Sequence, residues 1–499
     1  MPAAILPALT SAPISVSVLT NGEPNQHTYS SLQFTTTSYP SNCLHFLRPE
    51  QKIAEPTRLL DSVQAKCKLK VVIVGAGLGG LATAIALRLK GHDVTVFEQA
   101  PQLLEIGAGI QIPPNSGKLL KRMGIMKHLE NQTVQPERIS FRRWQCGKLI
   151  GITEFSPEFT AQFEAPYYVV HRAHLHSAFF ERATELGIKT RLNSRVATYN
   201  EDKATVTLAD GSLIQGDLIV AADGIKSLAR GLVSPGVHSV PKYTNFAVYR
   251  SVVDVEKIKA IPEIAWILEK PGLNIWVGEN RHVMTYTIAA GQSFNMVLSH
   301  LDTSDPSTWG KLDVLSGMRK AFEGWDPHLT TIIGLIEETV KWPLMDLGAL
   351  DNWIGPASKL IVVGDAAHAM VPYMSQGAAM AVEDAVGLAV CLNRIQSAQE
   401  LKFALRVFQS ERIKRTAPMQ EASLINAMLF HFKDGKEQEA RDAAMRAEVE
   451  GKHYLSTPNQ WSDPVTQWWA YGYDAEAAME ARWDSAVHHL MVENWKSIA

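Results

Sequence analysis

A strand, a glycine-rich turn, a helix and a second strand fall within about thirty residues after position 68, and this unit limits the fold more than any other stretch. Leu69 to Val74 is an almost continuous apolar run centred on Val71-Val72-Ile73, as expected of a strand buried on both faces in a parallel sheet. It leads into Gly75-Ala76-Gly77-Leu78-Gly79-Gly80, then a helical pattern from Leu81 to Lys90, then the strand Val94 to Phe97 ending at Glu98. Gly75 allows the tight turn, Gly77 lets backbone approach a pyrophosphate, and Gly80 permits close packing of helix on strand. The helix start offers free N–H donors and the positive end of a dipole. Glu98, eighteen residues after Gly80, can accept both hydrogen bonds from an adenosine ribose. The unit predicts an α/β fold that binds an ADP-containing dinucleotide, and by itself it does not choose between NAD and FAD.

Two further strand-to-turn junctions follow. One runs from Asp217 through Leu218-Ile219-Val220-Ala221-Ala222 to Asp223-Gly224 and on to Arg230; the other is Lys359-Leu360-Ile361-Val362-Val363-Gly364-Asp365-Ala366-Ala367-His368. After the second come Pro372 to Met380 and an apolar helical run to about Leu392, with the small residues Gly377 and Ala378 where this helix begins. Between the two junctions, residues 245–300 change to short β-branched runs separated by Gly and Asn turns, which reads as antiparallel sheet. These shifts divide the chain into a nucleotide-binding part at 67–240, a substrate-domain sheet at 241–345, a second nucleotide-binding part at 346–395 and C-terminal helices at 396–499. Residues 1–66 are rich in Ser, Thr and Pro, with no acid before Glu23 and no Arg before Arg48, and read as a disordered leader.

Composition excludes several classes. A formal charge of −3 offers no electrostatic footprint for nucleic acid. No apolar run of about 18 residues exists to span a membrane. Four scattered cysteines, Cys43, Cys67, Cys146 and Cys391, make neither a CxxC pair nor a secreted framework, which points to a reducing, cytoplasmic setting. A monomer or homodimer is expected. The scattered histidines, including His174, His176 and His282, lack metal-ligand spacing.

From the three motifs in this order, the chain resembles the class A flavoprotein hydroxylases over about residues 69–480. That family includes salicylate hydroxylase, 3-hydroxybenzoate 6-hydroxylase and fungal enzymes that hydroxylate or dearomatise polyketide phenols. The resemblance implies that Asp365 bonds the ribityl chain of FAD, that Asp223 serves the pyrophosphate and NAD(P)H, and that the helix start at Gly377-Ala378 approaches the flavin ring. Glu105-Ile106-Gly107-Ala108-Gly109-Ile110-Gln111 and the helix-opening His171-Arg172 also match, which assigns cofactor contacts to Gly109, Gln111 and Arg172. The departures are His368-Ala369 where HisPro is usual, Lys226 where His is common, and His174 where an Asp is often found. The implied reaction uses NADH or NADPH and O2 to hydroxylate a small phenolic aromatic through a C4a-hydroperoxyflavin, with decarboxylation or dearomatisation as outcomes at substituted carbons, in fungal secondary metabolism or aromatic catabolism. A flavin monooxygenase or reductase acting on a terpenoid would share all three motifs and is the alternative; a nicotinamide dehydrogenase would lack the second and third.

Period-two counting ranks the pocket wall. Phe246, Val248, Arg250 and Val252 share one face of a strand, and Ala247, Tyr249, Ser251 and Val253 the other. Arg250 is thus a cation on an apolar face and needs a carboxylate or an anionic ligand such as a phenolate. Fungal dearomatising hydroxylases resemble this in pairing such an arginine with a tyrosine on a later strand, here Tyr286. Tyr249 is the other candidate, by resemblance to the pocket tyrosine of 3-hydroxybenzoate 6-hydroxylase, although a histidine four residues earlier there is Asn245 here. The C-terminal stretches Leu401–Arg415, Met419–Lys433 and Gly435–Val449 read as amphipathic helices with solvated charges, and Trp468-Trp469-Ala470-Tyr471-Gly472-Tyr473 as an aromatic staple.

Overall fold

The computed structural model describes residues 64–103, 108–236, 240–309 and 314–498, so the expected leader lies outside it except for its last three residues, as do Glu105, Ile106 and Gly107. Five parallel strands form the nucleotide sheet in the order Leu360–Val362, Leu218–Ala221, Lys70–Val74, Asp93–Phe97, Lys189–Arg191. Their apolar runs are buried in one core shared with helix Leu78–Leu89, which packs on the sheet and against helix Gly377–Arg394, and with a three-stranded sheet of Val196–Asn200, Thr205–Leu208 and Leu213–Gln215. The three sequence motifs thus meet on neighbouring strands, Leu360–Val362 joining a sheet whose other members lie before residue 222.

The larger sheet has seven strands, ordered Val340–Asp346, Lys242–Asp254, Ser293–Leu301, Arg281–Ile288, Gly272–Gly278, Arg138–Arg143, Leu149–Glu154. The strands of residues 245–300 pair antiparallel, as expected. One expectation needs correction here: residues 138–154, placed in the nucleotide part at 67–240, supply two further strands of this sheet, and Arg138–Arg143 pairs parallel to Gly272–Gly278. Alternation of Ile139 and Phe141 with polar neighbours suits a sheet with one face on this core, where both are buried. One face carries Val248, Met284 and Tyr286 against Tyr373, Met374 and Met380 of the nucleotide part; the other carries Tyr249, Val253, Phe294 and Met296 against Met318 and Phe322.

Helix Leu401–Phe430 runs unbroken through Pro418, where the sequence suggested two helices. Proline removes one backbone donor, and buried contacts on both sides of it, from Arg415 to Gln420, keep the turn helical. No helix among the described residues is long and apolar enough to cross a membrane.

A carboxylate at the rim of this core makes stability depend on pH. Glu448 accepts from Ile152 N at 2.8 Å and Asn459 Nδ2 at 3.0 Å, and burial pushes its carboxyl up from 4.5 to about 7. Between those values the folded protein holds a proton that the unfolded chain has released, so stability falls as pH rises through the window. The urea midpoint is expected to drop between pH 5 and 8. Glu448→Gln, which mimics the protonated group, should remove on the order of 1 kcal/mol of that drop.

Candidate active site

The first turn leaves no room for a side chain at two of its glycines. Gly75 has φ +102°, and a Cβ there would overlap Ala222 O; a Cβ at Gly80 would overlap Gly75 O. Gly77 caps helix Leu78–Leu89 without a side-chain bond, and a Cβ on it would meet nothing within 4 Å. The helix start is therefore closed where it packs and open where it caps, which suits a phosphate. Glu98 sits at the end of strand Asp93–Phe97, its Oε2 accepting from Ala76 N at 2.8 Å and its Oε1 from Ala100 N at 2.9 Å. Each oxygen keeps a lone pair for a sugar hydroxyl. The same carboxylate also braces the glycine turn, a role that spacing alone did not reveal.

At the second motif, Asp223 Oδ2 accepts from Tyr199 OH and Leu228 N, both at 3.0 Å, while Oδ1 is buried without a partner among the described residues. A buried carboxylate oxygen with no donor is costly, so it calls for a ligand hydroxyl or N–H. Asp365 opens the short helix Asp365–His368 after Gly364, at φ +60°, and its side chain is exposed. Arg230 ties the two turns together: Nε donates to Ala366 O at 2.8 Å, Nη1 to Ile225 O at 2.8 Å, and Nη2 to Gly224 O at 3.2 Å and Asp365 O at 3.1 Å. The sequence reading gave this arginine no role. Its signal was only a cation in a segment whose carbonyls the turn leaves unpaired. This set of donors and acceptors fits FAD.

The third motif is braced from below by buried charge. Asp384 Oδ2 accepts from Gly364 N at 2.9 Å and lies 2.6 Å from His368 Nε2, while Oδ1 accepts from Arg412 Nε at 2.8 Å. Arg412 Nη1 and Arg415 Nη2 reach Glu383 at 2.8 and 3.1 Å, and Asn115 Nδ2 bridges Glu383 to Gln376, the cap residue of helix Gly377–Arg394. Burial pushes the Asp384 carboxyl up, but the charges of His368 and Arg412 overcome this and hold it down at about 2. Arg412 and Arg415 are therefore not a solvated helix face, as the sequence suggested. They are buried because helix Gly377–Arg394 brings two adjacent acids into the core that must be neutralised there.

The substrate wall faces this assembly. Cross-strand register lines up Val340, Arg250, Val297 and Met284 in one row, with Val252, Asn295 and Tyr286 in the next. The Tyr286 ring lies against Gly109, where a Cβ would overlap it, and Gly109 N donates to Asn295 Oδ1 at 2.7 Å. Gln111 Oε1 accepts from Tyr167 OH at 2.6 Å, and its Nε2 reaches Met284 Sδ at 3.1 Å. Arg172 opens helix Arg172–Glu185, capped by His171, and its N donates to Ala108 O at 2.9 Å.

Burial holds the Arg250 guanidinium below its usual range; the Tyr286 oxygen opposes this and the Arg172 charge adds to it. Burial raises Tyr286, against the pull of Arg250 and Gln111. The structure thus gathers Gly109, Gln111, Arg172, Arg250 and Tyr286. No carboxylate pairs with Arg250 among the described residues. Tyr249 is not part of this group. One residue from Arg250, it points through the sheet, where its ring stacks on His300 at 4.9 Å, and this corrects its candidacy. Asn295 and Tyr167 were missed, since neither Asn nor Tyr in a strand signals chemistry until its partner is known.

Comparison with known proteins identifies the family. Residues 68–423 match the family model described as "FAD binding domain". The chain is 34% identical over 415 residues to the FAD-dependent monooxygenase OpS4 of Beauveria bassiana, covering 83% of this chain and 97% of that one. It is 31% identical to 3-hydroxybenzoate 6-hydroxylase of Polaromonas naphthalenivorans, covering 81% of this chain and 96% of that one. The crystal structure of CtdE with FAD and substrate superposes with a TM-score of 0.73 at 26% identity, over 85% of this chain and 100% of that one. A salicylate hydroxylase substrate complex shares the fold, with a TM-score of 0.68 at 24% identity over 84% and 98% of the two chains. The chain belongs to the FAD binding domain family and is an FAD-dependent monooxygenase.

Proposed function

We propose that this enzyme uses NADH or NADPH and O2 to hydroxylate a phenolic aromatic substrate held as its phenolate between Arg250 and Tyr286. The single observation that carries this reading is the Arg250 guanidinium, mostly buried on an apolar face beside Tyr286 and without a carboxylate partner among the described residues. Names among the relatives support it, since 3-hydroxybenzoate 6-hydroxylase and 3-amino-4-hydroxybenzoate 2-monooxygenase both act on hydroxybenzoates.

Gly75, Gly77 and Gly80 would shape the pyrophosphate site, Glu98 would take the ribose, and Asp223 and Asp365 would take hydroxyls along the linker of FAD. Gly109, Gln111 and Arg172 would contact the flavin, and the helix start at Gly377-Ala378 would stabilise negative charge on it through its dipole. When bound, FAD supplies the electron transfer and oxygen activation. The chain's own residues prepare the substrate. The Arg250 charge favours ionisation of the phenol. Tyr286, kept protonated by burial, donates to the phenolate oxygen rather than competing for the cation. Val248, Val297 and Met284 exclude water from the reacting ring. In this reading the interleaved nucleotide and substrate parts form one cytoplasmic catalytic unit, monomeric or homodimeric.

The test is an absorption spectrum of the purified protein, followed by anaerobic mixing with NADH or NADPH with and without salicylate- and orsellinate-like phenols. A flavin spectrum whose bleaching is accelerated by at least one phenol, with hydroxylated product after O2 is admitted, is the expected result. Reduction indifferent to every phenol would remove the phenolic assignment.

A further inference from the structure

The sheet edge beside Arg250 is apolar where solvent reaches it. Val340 and Trp342 on the edge strand are 46% and 41% exposed, and Val252 is 41% exposed. Val340 pairs with Arg250 and Trp342 with Val248, so alternation turns all three apolar side chains to the face that carries the guanidinium. The opposite face of the same strand is already engaged. Lys341 pairs there with Asp302 and lies over the Trp309 ring at 4.0 Å. Exposed edge strands are ordinarily guarded by charged side chains, and this one carries Val and Trp on the one face that borders the substrate wall.

We propose that Val252, Val340 and Trp342 form a rim that receives an apolar substituent of the substrate, making Trp342 and Val340 specificity-determining residues. The substrates are then phenols extended by an alkyl or alkenyl chain or a second ring, with the anionic oxygen at Arg250 and the apolar body along the rim. This inference rests on the Arg250 reading. Continuity decides the occupant: the rim is the cross-strand neighbour of the proposed anion site, and a ligand anchored at Arg250 reaches it without leaving the sheet face. A polar substituent would lose hydration against Val340 and the Trp342 ring, where the indole N–H is a single donor and no side-chain acceptor is offered.

The test uses the FAD-loaded enzyme and 5-alkylresorcinols from methyl to heptyl, with Kd read from perturbation of the flavin absorption. Affinity should rise about threefold to fourfold per methylene group until the rim is covered, the increment for burying one such group. Trp342→Ala and Val340→Thr should each flatten that slope, whereas Arg250→Ala should weaken every member by a similar factor and keep it. A flat wild-type series, or a slope that survives both rim variants, overturns the proposal. So does loss of FAD or of a dimer in Trp342→Ala with the slope intact, which would assign the rim to the cofactor or to a second copy. Short phenols that bind and accelerate reduction in a flat series would remove the rim and leave Arg250 standing; no response to any phenol would remove both.

Discussion

Arg250→Ala is expected to keep its FAD and the reduction of that FAD by NAD(P)H, while product formation falls about 100- to 1,000-fold. Arg250 is placed to serve the phenolate rather than the cofactor. Losing a charge-assisted hydrogen bond costs about 1.5–3 kcal/mol, and the lost cation also lets the phenol reprotonate. Each 1.36 kcal/mol is about tenfold in rate. Coupling is the diagnostic readout: the ratio of product formed to NAD(P)H consumed should collapse, and the remaining activity should shift to higher pH, following the phenol's own ionisation. Arg250→Lys should recover part of the rate, since it restores charge without the planar fork. Normal coupling in Arg250→Ala would sink the pocket assignment.

Arg412→Met should be the most destabilising single change among the charged positions of the C-terminal helices. It leaves Glu383 and Asp384 in the core with Arg415 and His368 as their remaining partners, and breaking a buried ion pair from one side costs about 3–5 kcal/mol. Lys414→Ala, exposed two residues away on the same helix, should change stability by no more than about 0.5 kcal/mol. The loss should be felt first at the cofactor. Asp384 holds Gly364 N, and with it the turn of Asp365. In a urea titration of Arg412→Met, free-flavin fluorescence should therefore rise at a lower concentration than that at which helical circular dichroism is lost. Coincident transitions at the wild-type midpoint would show that the network has no such role.

Much of this arrangement was legible because it rests on local rules. Gly75 and Gly80 could be assigned from spacing, since a tight turn and a close helix crossing are determined by neighbours in sequence. The separation of Arg250 from Tyr249 follows from the two-residue repeat of a strand, which puts them on opposite faces of the sheet. What could not be read was long-range. Nothing in Arg138–Arg143 says that it pairs parallel to Gly272–Gly278, and so residues 138–154 read as part of the nucleotide unit although they belong to the larger sheet. Arg412 and Arg415 look like any helix surface until Glu383 and Asp384 are known to lie beneath them. Arg230 was visible as a residue but not as a clamp, because its partners are main-chain carbonyls of two distant turns.

The parallel sheet takes its last member, Leu360–Val362, from beyond every strand of the larger sheet. A chain emerging from the ribosome amino end first must therefore deliver strands Lys242–Asp254 through Val340–Asp346 before the Asp365 turn exists, and Asp384 and Arg412 later still. A nascent or truncated chain ending before residue 365 would carry the glycine turn and Glu98 without the turn that completes the cradle. Flavin capture is thus a late event in the life of each molecule, and the order of synthesis withholds oxygen chemistry until the walls that contain it have been made.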